Sequence, residues 1–347
     1  MAQSTTRNNR RRLGLILAMG AVSLLILFFF SLTFDVPGLT FTGAIEALVG
    51  YLSKYPDGPY TVNEIIVGGL YFPRAIAVIG VGMALSVAGA VMQALIRNPL
   101  VDPYITGTSS GAALGATMIM LAGFTIAGAG IFTIPIAAFL GALIAFMITL
   151  LLAEASGGRA LNYVLAGIVV GTALSSVVSL LLILGGNNVH GVLFWLFGSF
   201  ANIRLDEAII IIVPTIFLSA GVLVYARELN VILLGHEQAW QLGVNSRSFK
   251  RLMMVITALL TGIAVAFTGI IAFLGLIVPH ISRILVGGDH RLLLPASMVL
   301  GANILLIADL AARSFTVGEL PVGILISLIG APFFGYLLVR RGKEYVG

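Results

Sequence analysis

Apolar and polar residues in this chain fall into long blocks, without the short alternation of a half-buried strand. Residues 13–34 carry no charge at all. A helix needs about 20 apolar residues to cross the hydrocarbon core of a bilayer. On that measure the pattern predicts ten spans, at roughly 13–34, 65–95, 106–126, 131–153, 161–184, 207–226, 249–268, 271–286, 292–311 and 320–339. The second is long enough to tilt. The eighth is short and broken by Gly275 and Pro279. A short amphiphilic piece near 191–200 separates the fifth from the sixth. The expected fold is all-α and polytopic, with residues 1–347 forming one integral-membrane domain. No linker is long enough to hold a soluble one.

Composition agrees: 59% of residues are hydrophobic and 10% charged, with mean hydropathy +1.09. Soluble domains are far more polar. The basic stretch 1–12 holds Arg7, Arg10, Arg11 and Arg12 ahead of the first apolar block. A signal-peptide core runs about 7–15 residues and ends at a small-residue cleavage site. Neither fits, so the block is expected to be retained as a span.

Charge placement gives orientation. With ten spans both termini lie on one side. Of the 19 basic residues, all from Arg7 to Lys343 fall on that side except Lys54, Arg74, Arg204 and Arg313. The positive-inside rule then puts both termini in the cytoplasm. Net charge is +5, but the basic residues are scattered through short loops, which gives no nucleic-acid surface. There is no cysteine, which excludes disulfides, thiolate metal sites and S-acylation.

Motifs for catalysis are missing or out of context. No G-x-x-x-x-G-K-[ST] occurs, so the chain has no phosphate loop of its own. H-E-x-x-H is also absent. Gly107-Thr108-Ser109-Ser110-Gly111 matches G-x-S-x-G in letters, yet a nucleophile elbow needs a strand before the turn, and here a Pro-rich turn leads into an apolar helix. His280, Asp289 and His290 lack the spacing that makes metal ligands converge. No cofactor and no metal site are expected. Asp309 and Arg313 stand four apart and can pair on a helix, with Glu319 close by.

The loop 227–249 is the longest non-spanning stretch on the terminal side. Within it, Ala239, Leu242 and Gly243 sit at helical spacing, suggesting a short amphipathic helix closed by a glycine. Such a helix could lie on lipid with Trp240 as anchor, or dock a cytoplasmic partner. Earlier in the chain, a small-residue helix runs from Phe72-Pro73-Arg74-Ala75 to the polar turn Arg97-Asn98-Pro99-Leu100-Val101-Asp102-Pro103. A Gly/Ala-rich helix leaves at once from Ser109-Ser110-Gly111. Small residues let helices approach closely in lipid.

These segments, together with Leu234-Gly235, Leu242-Gly243-Val244, Gly275-Leu276-Ile277-Val278-Pro279-His280, Asp289-His290-Arg291, Glu319-Leu320-Pro321-Val322-Gly323 and Gly330-Ala331-Pro332-Phe333-Phe334, resemble the permease subunits of binding-protein-dependent ABC importers. The nearest group is the iron-siderophore, haem and cobalamin permease family. The resemblance covers nearly everything after the first span. It implies ten helices per subunit in a prokaryotic plasma membrane (the inner membrane in a Gram-negative cell). It also implies a homodimer, two separate cytoplasmic ATPase subunits and an extracytoplasmic binding protein. Carried over by motif, Asn98 and Leu100 match one cytoplasmic gate segment, and the turn at Ala160, Leu161 and Asn162 matches the other. Leu234, Gly235, Glu237, Ala239, Leu242 and Gly243 match the helix gripped by the ATPase. Arg74 and Arg313 match outer-face arginines that pair with acids of the binding protein. Two departures stand out: Tyr71 replaces the first arginine of the family's R-x-P-R, and His236 stands where an acid is common. The competing classes are a self-contained secondary transporter, which would share broken helices, and an intramembrane hydrolase resting on Ser109 or Ser110.

Overall fold

The structure, a computed structural model, describes residues 2–342 except Asp35, Pro37, Asn187, Asn188, Thr316 and Val317. Lys343, counted above with the terminal-side basic residues, lies outside the described residues. Every regular element among them is helical. In chain order these are α1 (Ala2–Thr33), α2 (Phe41–Lys54), α3 (Val62–Glu64), a π-helical stretch (Ile65–Tyr71), α4 (Phe72–Ile96), α5 (Thr108–Ala122), α6 (Thr133–Ala155), α7 (Ala160–Leu184), α8 (Val189–Leu196), α9 (Leu205–Val224), α10 (Ala226–Ile232), α11 (His236–Gln241), α12 (Ser246–Thr268), α13 (Leu274–Val286), α14 (His290–Ser314) and α15 (Val322–Gly342).

Seven helices are long and apolar enough to cross a membrane, beginning with Arg11–Thr33 and the continuous Val62–Ile96. Three shorter apolar helices, Thr108–Ala122, Leu274–Val286 and Val322–Tyr336, occupy the other three predicted spans. The chain is therefore a multi-pass membrane protein with seven full-length candidate spans among the described residues. The shortfalls have local causes. Gly123 ends α5 in a left-handed conformation, and α13 starts only after the irregular link 269–273.

The centre of the bundle is α4. Its small side chains let α9, α12, α13 and α14 pack around it. At the closest approach a Cβ on Gly89 would collide with the carbonyl oxygen of Gly275 on α13, so only glycine fits. One apolar core gathers Val87, Met92 and Leu95 of α4 with Leu229, Met253 and Leu293. Another gathers Val78 and Val81 with Phe200, Ile211 and Leu305. They occupy successive lengths of α4. Around this centre α5, α6 and α7 form an outer group. Helix α7 leaves Leu161, Leu165, Ile168 and Val169 exposed, the surface expected of a helix that faces lipid or another subunit.

The helix α2 is one the hydropathy pattern did not mark. Its 14 residues are too few to span. Thr40 caps it by accepting the Gly43 N–H at 3.1 Å. Ala44 and Ala47 are buried, while Phe41, Ile45, Val49 and Leu52 are exposed.

Candidate functional site

Helix α4 ends in a turn built against backbone preference. Arg97 adopts φ 56° and ψ 35°, a left-handed conformation usually left to glycine. The turn closes by Arg97 N–H to Ala94 O at 3.2 Å and Asn98 N–H to Gln93 O at 3.1 Å. Asn98 Oδ1 then accepts the Leu100 N–H at 2.9 Å, and Asp102 Oδ1 accepts the Tyr104 N–H at 2.9 Å. Burial pushes the Asp102 carboxyl up to about 6, opposed by hydrogen bonds from the Tyr104 and Phe273 backbone.

The second turn expected at a gate precedes α7. Gly157 and Gly158 have φ of 105° and 66°. The Asn162 side-chain amide donates to Ser156 O, which closes the turn. Leu161 is 63% exposed. The two turns face one cavity of about 750 Å³, whose walls include Arg97 from the first and Ala160 from the second. Asn98, Leu100, Leu161 and Asn162 flank these residues.

The segment 234–244 folds as a knob. Gly235, at φ 125°, precedes α11. Gly243, at φ 82°, follows it. Gly243 N–H binds Trp240 O and Val244 N–H binds Ala239 O, both at 2.9 Å, the paired closure of a glycine-ended helix. Ala239 is fully buried and anchors the knob. Leu234, Trp240 and Leu242 are 58–63% exposed, and Glu237 is exposed beside them. Exposed apolar side chains grouped in this way mark a surface that meets either another protein or a membrane. The side chain of His236 lies outside the description. A Cβ at Gly235 would come 4.0 Å from Arg97 Nη1, which places the knob close to the turn after α4.

At the opposite end Arg74 and Arg313, expected from the resemblance to meet the binding protein, are both buried within the chain. Arg74 is 5% exposed and Arg313 8%. Arg74 donates to both oxygens of buried Asp309, at 2.9 and 3.0 Å, and to Glu319 Oε2 at 2.7 Å. Asp309 thus pairs across helices with Arg74, beyond the local i, i+4 partner expected from sequence. Arg313 donates to the carbonyls of Ser31 and Phe34 at 3.1 and 3.0 Å. Its guanidinium lies 4.0 Å from the Tyr71 ring centroid. Tyr71 therefore meets the departure from R-x-P-R with a cation–π contact. Both arginines turn inward because a buried guanidinium needs carboxylate, carbonyl or aromatic partners.

Among the described residues no group of three His, Cys, Asp or Glu could hold a metal. Asp289 caps α14 and accepts from Asn230 at 2.7 Å, and His290 Nδ1 lies 2.8 Å from Asn230 Oδ1. Ser109 and Ser110 open α5 without a strand before them. Sequence reading missed Glu154, which receives Arg247 and Arg251 at 2.7 Å each and the Tyr163 hydroxyl. These residues are dispersed over three helices.

Comparison with known proteins matches this architecture. The FecCD transport family profile covers residues 23–340. The cobalamin import system permease of Halobacterium salinarum is 40% identical over 294 residues, covering 84% of this chain and 78% of that protein. The hemin transport system permease of Yersinia pestis is 37% identical, covering 79% and 83%. The Fe(3+) dicitrate transport system permease of Escherichia coli is 32% identical, covering 94% and 98%. A solved structure described as an inward-facing metal-chelate type ABC transporter superposes with a TM-score of 0.80 at 31% identity, over 94% of this chain and 99% of that one. A multi-pass helical bundle with this profile across nearly its whole length belongs to the FecCD transport family.

Proposed function

We propose that this chain is the membrane permease subunit of a binding-protein-dependent ABC importer that carries a metal chelate into the cytoplasm. An iron–siderophore complex is the foremost substrate; haem and cobalamin are alternatives. The subunit works as a homodimer with two cytoplasmic ATPase subunits and an extracytoplasmic binding protein. It makes ten crossings of a prokaryotic plasma membrane, with both termini and the loop 227–249 inside. The observation that carries this reading is the glycine-bounded knob with exposed Leu234, Trp240, Leu242 and Glu237, in a chain without a phosphate loop. ATP must then be hydrolysed elsewhere and the work delivered through a contact surface. The relatives named above, permeases for cobalamin, hemin and ferric dicitrate, support the substrate class.

In this reading Asn98 and Leu100, with Ala160, Leu161 and Asn162, form the cytoplasmic gate. The segment from Leu234 through Gly235, Glu237, Ala239 and Leu242 to Gly243 couples it to the ATPase. The Arg97 side chain lies close to Gly235, which sets the gate turn beside the coupling segment. Arg74 and Arg313 serve the binding-protein face indirectly, by holding Glu319 and the outer helix ends in place. The test is reconstitution. The chain alone should hydrolyse no ATP, and with the cognate ATPase and loaded binding protein it should import the ligand that the binding protein retains. Proton-driven uptake by the chain alone would establish a secondary transporter instead.

A further inference from the structure

The cavity between the two turns carries an unusual charge balance. Four basic side chains line it, Arg97, Arg159, Arg247 and Lys250, and no carboxylate is among its walls. The adjacent acid, Glu154, already serves Arg247, Arg251 and Tyr163. Arg97, Arg159 and Lys250 have no ion-pair partner among the described residues. Two long helices, α7 with 25 residues and α12 with 23, both begin at this cavity. Each adds the positive end of its dipole. Ser246, at the start of α12, lines the cavity and is 2% exposed, and its hydroxyl has no hydrogen-bond partner. Like charges gathered in one concave site repel until an anion joins them.

We propose that this cavity binds a phosphoryl group, held by Arg97, Arg159 and Lys250 and by the amino ends of α7 and α12. A phosphoryl group offers several acceptor oxygens and one or two negative charges, which suits three unpaired cations better than a single carboxylate. Helix amino termini recognise the same group. Basic residues mark this face as cytoplasmic, where the source is either an anionic lipid headgroup or free phosphate. The bound anion ties the turn after α4 to the turn before α7. Binding stands on the cavity alone; only its effect on a gate rests on the gate assignment.

The experiment uses the full chain in neutral detergent. Its melting temperature is recorded against inorganic phosphate, and against phosphatidylglycerol or phosphatidylcholine, all at equal ionic strength. Retained lipid is counted by native mass spectrometry. Wild type should be stabilised by phosphate or by phosphatidylglycerol, and not by phosphatidylcholine. Stabilisation by inorganic phosphate identifies the free ion as sufficient. Stabilisation by phosphatidylglycerol alone identifies the lipid headgroup. Exposed Arg159→Gln and half-buried Lys250→Gln should each weaken binding about tenfold. Arg204→Gln, at the opposite end, should not. The proposal is overturned if neither phosphate nor phosphatidylglycerol stabilises the protein, or if both cavity variants bind as wild type does. None of these measurements requires transport, so they succeed or fail independently of the import reading.

Discussion

Arg74 and Asp309, 235 residues apart in sequence, meet inside the bundle in a two-pronged ion pair at 2.9 and 3.0 Å. It joins the central helix α4 to α14 where both are buried. Removing one partner of a buried pair strands the other, at a cost of about 3–5 kcal/mol. Arg74→Met or Asp309→Leu alone should therefore lower the melting temperature sharply. The double variant should recover part of the loss, and a double-mutant cycle measures the coupling. Loss of binding-protein affinity in Arg74→Met at an unchanged melting temperature would assign Arg74 the docking role that the resemblance implies.

Tyr71 supports Arg313 through its ring face. Tyr71→Phe keeps that face and should leave stability nearly unchanged. Tyr71→Ala should cost about 2 kcal/mol, as expected for a desolvated cation–π contact. Tyr71→Arg, which restores the family's common residue, should be worse still, because it sets a second guanidinium beside Arg313. Thermal unfolding of the three variants gives the order, and an equal loss in Phe and Ala would remove the ring from the account.

The knob at α11 should separate folding from coupling. Gly243 sits at φ 82° with open space around it, so Gly243→Val strains the backbone without a clash. A left-handed Cβ residue costs about 1–2 kcal/mol, confined to a surface turn. If the chain works in the proposed importer, Gly243→Val, Glu237→Arg and Trp240→Ala should leave the proposed dimer intact and reduce stimulation of the proposed ATPase. Wild-type uptake in all three would make the knob an interfacial helix resting on lipid.

Asp102 gives a pH signature. Its carboxyl holds a proton up to about 6 in the folded chain, above the ordinary value near 3.8 in the unfolded one. The folded state binds that proton more tightly, so the group favours folding as pH falls from about 6 towards 3.8. Above 6 it opposes folding. Asp102→Asn keeps an oxygen for the Tyr104 N–H and removes the charge. The variant should melt above wild type at pH 8, with the gap narrowing through pH 6 and closing near 3.8. A gap independent of pH would show that the carboxylate is well solvated.

Blocks of apolar residues determined by themselves that the chain crosses a membrane many times as helices. Transfer of a whole segment into lipid depends on its summed side chains, and hardly on its neighbours. Glycine and proline spacing likewise carried the family resemblance and marked the α11 knob, since φ at Gly243 is a local property. Tertiary structure alone decided which polar groups meet. Four-residue spacing suggested Arg313 for Asp309, yet the carboxylate took Arg74, because the helix faces that touch are chosen by small-residue packing along α4. The same holds for the cavity. Arg97, Arg159, Arg247 and Lys250 read in sequence as scattered topology signals, and only the convergence of three chain segments makes them one charged site. Charge counts give the sign of each loop, but the distance between loops, on which electrostatic interaction depends, exists only in the folded bundle.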